Sequence, residues 1–226
     1  SVGDAPSLEI DNFAGNVSIR AGESGTIHVV ATKRASRSRD LSVIGVWIHV
    51  KQGGVGIKTG RPLSKGKATV DLEITAPADT RLKLQLGAGN VIVRGLSSGA
   101  EATVGAGNID FNNVTGALQA NTGAGSMNVR GAAGPARLNN GTGVIMYQGA
   151  PQGDCRFSSG VGAISLELPA QPNVTLDLQT DVGEIDVKCP VDGHVSKRRI
   201  QGIIGTGDDA RIVANAGVSG IGLTCK

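Results

Sequence analysis

Aromatic side chains are almost missing from these 226 residues: one Trp, one Tyr and three Phe, 2% of the chain. A core without large rings must be built from small aliphatic side chains, as a narrow interior requires. No apolar run approaches the ~18 residues of a membrane-spanning helix, so no transmembrane segment is expected. No secretory leader is recognisable either, and the expectation is that a leader or anchor was removed ahead of Ser1. The three histidines, His28, His49 and His194, are scattered without metal-ligand spacing and read as surface strand and loop residues. No serine sits in a nucleophile-elbow phrase, and no histidine stands in a recognisable relation to one. Net charge is only +3, with a pI near 8.9, too weakly basic to argue for nucleic acid.

Glycine, by contrast, is abundant, with 35 residues, and it is periodic. Gly87-Ala88-Gly89-Asn90-Val91 returns as Gly105–Ile109, Gly123–Met127, Gly141–Ile145 and, more loosely, Gly160–Ile164. The second glycines fall at 89, 107, 125, 143 and 162, in steps of 18, 18, 18 and 19. A short fixed period marks a solenoid. Within one copy, Asn90–Arg94 and Ala100–Val104 alternate like strands, and Gly95–Gly99 and Gly105–Gly107 read as turns. The expected fold is all-β: a two-sheet parallel β-solenoid with about 18 residues per coil and irregular, strand-rich caps.

Stacking the copies gives columns of equivalent residues. Val91, Ile109, Met127, Ile145, Ile164 and Ile185 form one apolar column; Val93, Phe111, Val129, Tyr147, Leu166 and Val187 form another. Arg94, Asn112, Arg130, Gln148, Glu167 and Lys188 are polar throughout and should face water. On the second strand, Ala100, Leu118, Ala136, Cys155, Leu176 and Ile200 are apolar, and Ala102, Ala120, Leu138, Phe157, Leu178 and Gly202 mostly so. Each coil buries its apolar face only against its neighbours. One domain is expected over 1–226, with irregular coils and a cap at 1–80, regular coils at 81–190, and C-terminal coils and a cap at 191–226. Residues 210–226 read as an irregular last turn. Near the start, Ser42–Lys51 is the longest strand candidate; with Val46, Ile48 and Val50 facing in, Trp47 and His49 face out.

Few residues suggest chemistry. The glycine phrases lack the third glycine and the following helix of a phosphate cradle. Calcium β-rolls place a fixed Asp in a nine-residue repeat. Here the residue after the second glycine runs Asn90, Asn108, Ser126, Val144, Ala163, Glu184 and Asp208, a poor hard-cation set. The asparagines are expected to bond neighbouring turns instead. Asp110 and Asp186 share an outward column, with Glu167 and Glu184 nearby and Asn128 and Ser165 interrupting. Carboxylates of this kind could meet in space as a glycosidase pair. Cys155 falls in an apolar column and reads as a buried thiol. Cys189 and Cys225 are two nominal coils apart, near 10 Å, beyond disulfide reach unless the irregular end brings them together. The basic segment 33–39, including Arg37 and Arg39, and Lys197-Arg198-Arg199 are either solvated loops or contacts for an acidic polymer. Trp47 and His49 are the exposed candidates for partner contact.

Val70-Asp71-Leu72-Glu73-Ile74-Thr75-Ala76-Pro77, followed by Leu82-Lys83-Leu84 and the first glycine phrase, resembles the bacterial putative-adhesin domains of unknown function. The resemblance covers nearly the whole chain and is strongest over 69–168. It implies a β-solenoid in an exported or envelope-associated protein, an extracytoplasmic location, and adhesion or envelope interaction, and it brings no catalytic residues. The expectation is a non-enzymatic structural or interaction module with no cofactor and no metal. Its partner would be a still unidentified protein or envelope polymer, contacted through Trp47, His49, Arg37 and Arg39. The alternative is a carbohydrate-active β-helix enzyme or a polysaccharide-binding module. An ice-binding face would need an outward Thr ladder, which the columns do not contain.

Overall fold

A computed structural model describes residues 5–60 and 68–226. The elements are β1 (Ser7–Ala14), β2 (Val17–Gly22), β3 (His28–Ala35), the one-turn helix α1 (Ser38–Leu41), β4 (Gly45–Lys51), β5 (Gly54–Gly60), β6 (Ala68–Pro77), β7 (Arg81–Ala88), β8 (Val91–Arg94), β9 (Ala100–Ala106), β10 (Ile109–Asn112) and β11 (Leu118–Ala124). They continue as β12 (Met127–Gly134), β13 (Ala136–Thr142), β14 (Ile145–Pro151), β15 (Gly153–Val161), β16 (Ile164–Leu168), β17 (Val174–Val182), β18 (Ile185–Lys188), β19 (Asp192–Val195), β20 (Arg199–Ile204), β21 (Ala210–Val218) and β22 (Ile221–Cys225). The chain is all-β, in two mostly parallel sheets. The larger has twelve strands, ordered β19-β20-β17-β21-β15-β13-β11-β9-β7-β1-β5-β4. The smaller has ten, ordered β18-β22-β16-β14-β12-β10-β8-β2-β6-β3.

The central columns stack as expected. Val91, Ile109, Met127, Ile145 and Ile164 pair in succession, as do Val93, Phe111, Val129, Tyr147 and Leu166. All ten side chains are buried. The turns stack too: Asn108 donates its amide to Asn90 Oδ1 at 3.1 Å, Asn90 to Asn16 Oδ1 at 3.2 Å, and the Ser126 backbone N–H to Asn108 Oδ1 at 2.9 Å. Each shared oxygen ties one rung to the next.

Both ends depart from sequence order. The β1–β2 coil lies between the β5–β6 coil and the β7–β8 coil, and the β21–β22 coil lies between β15–β16 and β17–β18. Residues 210–226 are therefore a regular inserted coil rather than an irregular last turn. Ile221 pairs with both Ile164 and Ile185, and Leu223 with both Leu166 and Val187. The physical gain is that each terminal coil is hydrogen-bonded on two sides, which opposes the fraying usual at chain ends. The second-strand columns also need correction at their last member. β20 runs antiparallel to β17, so Ile200 faces Leu178 and Gly202 faces Leu176.

Tyr147 and Phe157 meet in the core, ring centroids 5.1 Å apart, and the Tyr147 hydroxyl is buried with no hydrogen-bond partner among the described residues. Burial, reinforced by nearby Cys155, holds this phenol protonated well above its ordinary range. It is the chain's one tyrosine, so tyrosinate absorbance reports it alone. In folded protein no tyrosinate is expected between about pH 10 and 12, where the unfolded chain ionises. Since only the unfolded state releases that proton, this contribution to stability is intact below about pH 10 and falls by about 1.4 kcal/mol per pH unit above it. A tyrosinate band rising near pH 10 while near-ultraviolet dichroism stays native would contradict the buried placement.

Candidate functional site

The most developed surface lies on the outer face of the twelve-stranded sheet, over β4, β5, β1 and β7. Strand alternation turns Gly54, Gly56, Lys58 and Gly60 of β5 outward, so three of the four outward positions have no side chain. The indole of Trp47 folds along its own strand onto Gly45 and Gly60, which pair with each other beneath it. A Cβ built at Gly60 would stand 2.6 Å from Trp47 Cη2, so the ring rests directly on backbone. Trp47 keeps 49% exposure. One indole edge is therefore fixed and its surface remains available.

Beside it, His49, Gly56, Glu9 and Lys83 form a continuous register across four strands. The glycine leaves an open trough of about 400 Å³ lined by His49, Glu9, Asp11, Lys51, Lys58 and Lys83. Lys51 pairs with Glu9 at 3.0 Å and Lys58 with Asp11 at 3.5 Å. All four side chains are more than half exposed, so these pairs are weak and their polar atoms can be shared with a ligand. A second shallow trough of about 470 Å³ continues over β7 and β9, shares Glu9 and Lys83, and adds Arg81, Glu101 and Gln119.

Of the four residues expected to meet a partner, Trp47 and His49 lie together on this face. Arg37, just before α1, and Arg39, within it, are exposed but line neither trough. Glu9, Asp11, Lys58 and Lys83 were not anticipated. Their outward alternation is readable in the sequence; Lys58 stands opposite Trp47 in the β4–β5 hairpin, whereas Glu9, Asp11 and Lys83 come near only because β1 is inserted between β5 and β7. Trp47 and His49 face out, and Val46, Ile48 and Val50 take the core side, opposite Thr59, Ile57 and Val55. Ile48 and Val50 are nevertheless 49% and 75% exposed, because β4 is the outermost strand of its sheet.

The outward aspartates do not meet. Asp110 and Asp186 stand five rungs apart in the ten-stranded sheet, about 24 Å at ~4.8 Å per rung. Glycosidase carboxyl pairs lie about 5–9.5 Å apart. His28, His49 and His194 are exposed on three different strands. Cys155 is buried, and desolvation pushes its thiol pKa up, away from the reactive thiolate. Cys189 and Cys225 are bridged, with Cα atoms 5.6 Å apart. The insertion makes this possible, since β22 lies against β18 rather than two rungs away.

No family profile matches the chain, and neither does any curated protein. Among solved structures it is similar to a putative cell adhesion protein from Clostridium sporogenes: 16% identity, TM-score 0.45, covering 98% of this chain and 92% of that one. It is also similar to a putative adhesin from Bacteroides fragilis: 12% identity, TM-score 0.33, covering 98% and 93%. The architecture described above rests on the chain's own strand pairing.

Proposed function

We propose that this chain is a non-enzymatic interaction module of an exported or envelope-associated bacterial protein, and that it presents the outer face of its twelve-stranded sheet to an envelope polymer or protein. The observation that carries this reading is the Trp47 ledge with its adjoining troughs. An indole held against glycine backbone has little freedom left to lose on binding, and the surrounding Lys, Glu and Gln side chains offer donors and acceptors in a shallow, open channel. The Cys189–Cys225 bridge supports an oxidising, extracytoplasmic compartment. Among the described residues, no helix is long and apolar enough to cross a membrane.

A polysaccharide partner is the second reading, favoured by the flat aromatic ledge beside polar side chains. Trp47 is the chain's one tryptophan, so its emission reports the ledge directly. In a screen of envelope polysaccharides and proteins, a true ligand should shift that emission. Trp47→Ala should weaken binding about tenfold or more, while circular dichroism shows the sheets still folded. Unaltered affinity in Trp47→Ala would remove the ledge from the site. Turnover of any polysaccharide would end the non-enzymatic reading.

A further inference from the structure

Four strands end the two sheets, and three of them are defended. At one end β3 turns Lys33 to its core side, opposite buried Val70, and an inward charge on an edge discourages pairing. At the other end β19 is only four residues long. Its neighbour at that end, β18, is partly covered by the following chain, with the Ile185 N–H bonded to Lys197 O at 2.8 Å. β4 has none of these devices. It is seven residues long, carries a permanent charge only at its last residue, Lys51, and leaves Ile48 and Val50 open on the core side. Among the described residues nothing pairs with its free edge.

We infer that β4 is a self-association edge, its partner being β4 of a second copy, antiparallel across a twofold axis at Ile48. The sequence Gly45-Val46-Trp47-Ile48-His49-Val50-Lys51 is matched to itself in that register. Ile48 meets Ile48, Val46 meets Val50, Trp47 meets His49, and Gly45 meets Lys51. All three core-side positions pair apolar with apolar, and Lys51 faces no second cation. Such a pair is isologous and closes as a dimer rather than growing a fibre. It would also set the two Trp47 ledges side by side on one continuous outer face. Lys33 of β3 keeps the smaller sheets from joining, so pairing is confined to β4. Seven-residue strands bury less than the ~1,200 Å² of a standard interface, which points to micromolar rather than nanomolar association.

Sedimentation equilibrium over a concentration series tests this, with no ligand present and no dependence on the proposed function. The expected result is a monomer–dimer equilibrium reaching twice the 22.8 kDa chain mass. Ile48→Lys, which sets two cations at the axis, should weaken it about a hundredfold. Val195→Lys, on the opposite end, should leave it unchanged. Independently, Ile48→Cys should give a disulfide-linked dimer under mild oxidation, while buried Cys155 stays unreacted. A chain that remains monomeric to about 1 mM overturns the inference. So does a dimer that Ile48→Lys leaves intact or that Ile48→Cys fails to cross-link.

Discussion

Gly107→Ala is expected to cost about 4 kcal/mol or more, enough to leave little folded protein. Gly107 has φ +139°, a region that L side chains rarely adopt. A methyl group there would press into the carbonyl oxygen of Gly89 on the rung beside it. The neighbour cannot give way. Gly89 makes the same approach to Gly15, Gly125 to Gly107, and Gly143 to Gly125, so the corner is a column of backbone packed on backbone. The spacing is pinned by hydrogen bonds from Gly89 N to Ala106 O at 2.9 Å and from Gly107 N to Ala124 O at 2.8 Å. Gly25→Ala is the comparison, since Gly25 has φ +77° but open space around it. It should cost only about 1 kcal/mol. The inserted C-terminal coil shows the same rule from the other side. Its corner position is Ser219 at φ +138°, and Ser219→Gly should stabilise by about 1 kcal/mol through relief of strain. Urea midpoints of the three variants decide the matter. If Gly107→Ala loses no more than Gly25→Ala, the corner is not close-packed as described.

Loss of the Cys189–Cys225 bridge is expected to cost about 3–4 kcal/mol, from the closure entropy of its 36-residue loop. The bridge joins Cys189, the residue after β18 on the outermost coil, to the last residue of β22 on the inserted coil, so the damage should be local before it is global. In the double variant Cys189→Ser/Cys225→Ser, or after reduction, amide protection should fall first across β17–β22, while β7–β14 keep theirs. Equal denaturation midpoints in oxidised and reduced protein would show that the insertion alone holds the end in place. Cys155 takes no part, being buried in the core of the larger sheet.

The regular coils were legible because two periods agree there. Alternation by two sorts Val91 and Val93 from Ile92 and Arg94, and the eighteen-residue step repeats that sorting in Ile109, Phe111, Asp110 and Asn112. A register error of one residue would put Arg94 inside, so the pattern admits one stacking. The Asn ladder was equally readable, since Asn90 and Asn108 occupy one repeat position. The ends were not, because β1, β5 and β7 carry compatible alternation and nothing in that pattern says which lies between the other two. The same ambiguity hid the disulfide, whose cysteines count as two rungs apart along the chain and one rung apart in space.

By itself, then, the sequence determined the coil, its inward and outward residues, the glycine corners and the outward aspect of Trp47, because these follow from local alternation and a fixed repeat. The folded molecule alone decided the order of the coils at each end, and with it the Cys189–Cys225 bridge, the trough that joins Glu9 and Lys83 to His49, and the bare edge of β4. Strands of like pattern can exchange places in a sheet without changing which face is buried. Only the competition among whole coils for neighbours on both sides settles which one ends up outermost.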